Sequence, residues 1–103
     1  MMFRQGDVLL RSVDKLPDAA TDLPREAGRV VLAHGEVTGH SHAFRDPGVC
    51  LLRCEGTADR FLSVSVTSDL EHEEHSTIAV PAGAYQVTIQ REWTGEISRS
   101  VED

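Results

Sequence analysis

Five histidines carry most of the chemistry open to this chain, and they fall in two short runs. The first run reads His34-Gly-Glu-Val-Thr-Gly-His40-Ser-His42. In an extended strand, residues two apart point the same way. His40 and His42 therefore project their imidazoles from one face, about 7 Å apart at the backbone and able to converge on one ion. Gly39, just before them, permits a bulge or a close backbone approach. Phe44 continues the same face, so the pair looks towards an apolar interior, where imidazoles without partners carry a desolvation cost. The alternative is a pair of histidines bonded to backbone or carboxylates, or a solvated strand end.

The second run is Glu71-His72-Glu73-Glu74-His75. On a straight strand His72 and His75 lie on opposite faces, so their joint use requires a turn or bulge at this point. Three carboxylates in five residues create a negative potential that attracts a cation and raises imidazole basicity. The bland reading is a solvated acidic hairpin tip.

Taken together, the two runs predict one divalent transition-metal site with His40, His42, His72 and His75 as ligands. Glu73 or Glu74 serves as a further ligand or as a general base. Imidazole-dominated sites with a carboxylate suit Zn first, with Ni, Fe, Mn and Cu also compatible. His34 shares a face with Val30 and Leu32 on a regular strand and reads as a core or supporting residue. Ser41 alternates away from both neighbouring histidines, which disfavours a Ser-His nucleophile.

Four functions fit these residues. One is a metal-dependent enzyme, hydrolase or oxygenase-like, acting on a small molecule or phosphoester through an open metal position. A second is a non-catalytic metal-binding or sensing module whose closed site stiffens the fold. A third is a metal-free phosphodiesterase using two imidazoles as acid and base. The last is an interaction module, such as a homo-oligomer joined through exposed strand edges, with incidental histidines.

Gly35, His40, His42 and Asp46 resemble a shortened form of the first cupin motif, a glycine followed by a His-x-His pair and a downstream carboxylate. Pro81-Ala82-Gly83 resembles the turn that follows it in cupins. The resemblance implies a small β-barrel holding a metal, and it brings Asp46 and Gln86 into consideration. This chain departs from the pattern in having one residue fewer after the glycine, Asp46 for glutamate, and Gln86 where the third histidine would stand.

The elements that must position these residues are strands. Short alternating or β-branched runs separated by Gly, Pro and Asp predict strands at Asp7–Val13, Arg29–His34, Thr38–Phe44, Val49–Cys54, Arg60–Thr67, Thr77–Val80 and Ala84–Trp93. About seven strands at this spacing predict an all-β fold, a small antiparallel barrel or sandwich. Alternation is cleanest where Leu62, Val64 and Val66 take one face, and where Tyr85, Val87 and Ile89 oppose Gln86, Thr88 and Gln90. Asp14 to Gly28, with two Leu-Pro pairs, reads as a long loop with room for one helical turn at Asp18–Asp22. From Thr94 to Asp103 a short docking helix and a frayed tail fit equally well.

With 103 residues the chain predicts a single domain, 1–103. No apolar run exceeds four residues, which excludes a transmembrane helix. Ten basic against seventeen acidic side chains leave a net charge of −7, which disfavours nucleic acid as a partner. Arg4 and Asp7 are unlike a secretory leader, so the expected location is cytoplasmic with Cys50 and Cys54 as thiols. On one strand the two sulfurs sit roughly 13 Å apart, too far for a disulfide or a shared metal, and read as small core residues.

Overall fold

The structure is a computed structural model that describes residues 1–35 and 39–90. Ten strands form among them: β1 (Met2–Gln5), β2 (Val8–Val13), β3 (Ala20–Asp22), β4 (Val30–His34), β5 (Ser41–Phe44), β6 (Val49–Cys54), β7 (Arg60–Val64), β8 (Ser68–Glu71), β9 (Ile78–Val80) and β10 (Gly83–Ile89). They build two sheets, one in the order β1-β2-β10-β7-β6-β3 and the other in the order β4-β5-β8-β9. Every strand pairing is antiparallel. Among the described residues the edges of neither sheet pair with each other, so the all-β expectation holds there in the form of two open sheets rather than a closed barrel.

Both sheets contribute to one buried cluster, which explains their packing. Val8, Leu10, Val49, Leu51, Leu62, Val64, Tyr85 and Val87 come from the larger sheet, and Val30, Leu32, Ala33, Phe44, Leu70 and Val80 from the smaller. Burying such side chains contributes about 1.5–3 kcal/mol each, the principal force holding the sheets together. The expected alternation appears where Leu62 and Val64 are buried and where Tyr85 and Val87 are buried between more exposed neighbours. The strand expected to reach Thr67 ends at Val64, and Val66 is exposed.

Three strands were not expected from the pattern. β1 pairs with β2 through a two-residue connection, Gly6-Asp7, with Gln5 opposite Val8. Gly6 has φ +58°, the positive first position that a tight hairpin turn of this kind demands. β3 lies inside the long loop expected from Asp14 to Gly28, where there was room for one helical turn at Asp18–Asp22. Ala20, Thr21 and Asp22 instead pair with Cys54, Arg53 and Leu52. Arg25 fastens the rest of that loop, donating to the carbonyls of Gly28, Asp46 and Val49 at 2.7–2.9 Å. β8 supplies the third strand, and the acidic run leaves from its end.

Two expectations about individual residues are corrected. The β4–β5 register shifts between Val31 and Ala33, and this bulge buries four consecutive residues, Val30 to Ala33. The interruption resets the alternation, and His34 comes out exposed rather than in the core. Cys50 is exposed and Cys54 half-buried, because Val49, Leu51 and Leu52 take the buried positions of β6; both are free thiols. The stretch from Thr94, where a short helix and a frayed tail fit equally well, falls outside the described residues, as do Thr38 and Arg91 to Trp93 of two expected strands. Among the described residues no helix is long and apolar enough to cross a membrane.

Candidate metal centre

Three pieces of chain meet at one end of the sheets: the β1–β2 turn, the start of β5, and the segment 72–77 between β8 and β9. β8 is anchored by Leu70, fully buried opposite Phe44, so the chain leaves Glu71 at a fixed place. The turn that His72 and His75 required then forms. The backbone N–H groups of Glu74 and His75 both donate to His72 Nδ1, at 3.0 and 3.2 Å, so the imidazole caps its own turn. His72 Nδ1 also lies 3.1 Å from His75 Nδ1. That distance is within hydrogen-bond reach, so the two rings are tied to each other inside the turn.

His42 enters from β5 and is only 3 % exposed. Its ring lies 4.3 Å from the ring of His72 and 5.6 Å from that of His75, centroid to centroid. His40 approaches His72 from another side, edge-on at 5.6 Å. Two groups of ligand atoms result, each within 4.8 Å of one another: His42, His72 and His75, and separately His40, His72 and Glu73. The four histidines read from the sequence are therefore neighbours, with His72 shared. His40 and His42, expected to converge directly, fall in different groups.

The carboxylates separate in the same way. Glu73 Oε1 accepts the Ser41 backbone N–H at 2.9 Å, which ties the segment to the start of β5. That hydrogen bond, with the nearby His40 and His72, holds its carboxyl below the usual range, so Glu73 is ionised at neutral pH. Glu74 is exposed, its Oε2 4.0 Å from His40 Nδ1, and belongs to neither group. His34 is outside the site, with Nε2 3.0 Å from Glu26 Oε1. Asp46 accepts the Gly48 N–H, and Gln86 accepts from Arg11; neither joins the histidines.

Residues that sequence reasoning passed over complete the site. Gln5 is 3 % exposed, and its Oε1 lies 2.8 Å from His42 Nδ1. Its amide nitrogen donates to the carbonyls of Leu70 at 2.8 Å and Ser76 at 2.9 Å. Asp7 Oδ1 lies 3.6 Å from His42 Nε2. Gly6 gives the rings room, since a Cβ there would stand 2.8 Å from His75 Cε1 and 3.1 Å from His42 Cε1. The Gly6-Asp7 dipeptide between two apolar alternating stretches is the available signal for this hairpin. Nothing in the sequence singles out Gln5.

Burial and the neighbouring His72 hold the His42 pKa below its ordinary value, against the opposing pull of Asp7. At neutral pH His42 is an uncharged imidazole, the form that can bind a metal. Beside it an open cleft of about 190 Å³ is lined by Arg29, Ser41, Arg45, Glu71, His72 and Glu73. Arg45 pairs with Glu71 at 2.9 Å, while Arg29 donates to the Ser41 hydroxyl at 3.1 Å and is in no ion pair with a carboxylate among the described residues. The arrangement can hold a cation on imidazoles and present an adjacent anionic ligand with one guanidinium. No curated protein and no solved structure is significantly similar to the chain. Residues 4–90 match the family described as a domain of unknown function, DUF8820, and on that match the chain belongs to this family.

Proposed function

We propose that this protein binds a divalent transition metal, zinc above others, through His42, His72 and His75. The observation that carries the reading is the convergence of three imidazole nitrogens within 4.8 Å of one another, from two sequence-distant segments. Three histidines leave a fourth position for water or substrate, the pattern of catalytic rather than closed structural zinc. His40 and Glu73 offer a second group around the same His72 and can replace a ligand or enlarge the coordination. The test is elemental analysis of untagged protein after supplementation with Zn, Ni, Mn and Fe, with Co²⁺ spectroscopy to report tetrahedral coordination. A stoichiometric ion lost in His42→Ala and in His72→Ala supports the reading; wild-type protein with less than about a tenth of an equivalent overturns it.

The cleft beside His72 and Glu73 favours an enzyme over a closed metal-binding module. A phosphoester or carboxylate ligand placed there meets Arg29 on one side and the metal position on the other. Glu73, ionised and held by Ser41, is the group placed to take a proton from water. If metal-loaded protein hydrolyses bis(p-nitrophenyl) phosphate, Glu73→Gln should lower kcat by about 10²–10⁴, the range of general-base effects. Activity that survives a chelator would overturn the metal-dependent form of this reading.

A further inference from the structure

Gln5 stands outside every group of ligands, yet it touches both segments that carry them. An amide side chain has one acceptor end and one donor end, and here the donor end is committed. Gln5 Nε2 faces two backbone carbonyls, Leu70 O and Ser76 O, and neither can accept from an oxygen. Turning the amide over would set Oε1 against two acceptors in a buried place and leave both carbonyls without their donor. Oε1 therefore faces His42, and the contact at 2.8 Å requires His42 Nδ1 to carry a proton. A neutral His42 then has its lone pair on Nε2 alone.

We propose that Gln5 is a positioning residue that holds His42 in the Nδ1–H form and presents Nε2 as its sole ligand atom. The same amide pins the chain on either side of His72 and His75, through Leu70 and Ser76. One side chain on β1 thus sets the ligand atom of one segment and the place of the other two ligands. The first half of this assignment concerns the metal-free protein; the second rests on the metal reading above.

Each half has its own measurement. Long-range ¹H–¹⁵N correlation on metal-free wild-type protein at neutral pH reports which nitrogen of His42 is protonated, and Nδ1–H is the expected result. An Nε2–H His42 in the folded wild type overturns the proposal whatever the metal does. In Gln5→Leu the Nδ1–H preference should be lost, and Zn²⁺ affinity should fall about 10–100-fold, the usual effect of removing a group that orients a ligand. Gln5→Glu keeps an acceptor for Nδ1–H but sets a carboxylate against the Leu70 and Ser76 carbonyls, so it should retain the tautomer while weakening Zn²⁺. Unchanged tautomer and unchanged affinity in a folded Gln5→Leu overturn the positioning role. Zn²⁺ failing to bind a wild type with Nδ1–H overturns the metal reading and the ligand half, leaving the hydrogen-bond assignment in place.

Discussion

At the scale of single residues, the site depends on a glycine and on one depressed imidazole. Gly6 occupies the left-handed region, which costs other residues about 1–2 kcal/mol, and its missing Cβ is where the His75 and His42 rings sit. Gly6→Ala should therefore lose about that much stability in urea denaturation and weaken metal binding as well, by displacing His75. His42 gives a pH signature. Its folded pKa lies below the ordinary value of 6.5, mainly through burial, so the unfolded chain binds the extra proton first as pH falls. In chelator-treated protein, stability should be level with respect to this group above about pH 6.5 and should decline as pH drops below it. His42→Asn should show a shallower decline over the same range, and equal slopes would contradict the burial of a neutral imidazole.

At the scale of elements, what was legible in the sequence followed periodicity, and what was hidden followed tertiary pairing. The paired faces of β7 and β10 read directly, because each buries one side and wets the other. The requirement for a turn at His72–His75 was also readable, from the opposite parity of the two positions. His34 misread because a bulge is invisible to a period-two count: it arises only when β4 must fit β5. β3 was hidden by its three-residue length and its two polar members, and it exists because β6 offers an edge. Arg25 was equally silent, since its partners Asp46 and Val49 lie more than twenty residues away. Arg25→Ala should release the 14–29 segment and cost about 1.5–3 kcal/mol, the range for hydrogen bonds made by a charged group. Protection of the Leu23 amide, which donates to Leu51 O at 2.7 Å, should fall with it in hydrogen exchange.

At the scale of the whole molecule, the candidate site lies where the two sheets come together. Gln5, Gly6 and Asp7 belong to the six-stranded sheet, and His42, His72 and His75 to the four-stranded one and its connection. On the proposed metal reading, an ion held there favours the folded chain, which alone brings the three imidazoles together. At a hundredfold excess over Kd it should stabilise the fold by about 2.7 kcal/mol. For a domain of this size that is a rise in Tm on the order of 10 °C or more, reversed by chelator and absent from a His72→Ala His75→Ala double variant. A Tm indifferent to Zn²⁺ would argue against binding in the folded state.

The capped turn at His72 carries one more consequence, for the backbone rather than for the ion. An imidazole nitrogen has a single lone pair in the ring plane, and at His72 Nδ1 it is already taken by the amides of Glu74 and His75. A metal that coordinates through Nδ1 must evict those two protons, whereas one that coordinates through Nε2 leaves them in place. Exchange of the Glu74 and His75 amides with solvent deuterium, compared with and without metal, therefore reads out which nitrogen is used. It also tells whether loading the site rebuilds the turn or only fills it.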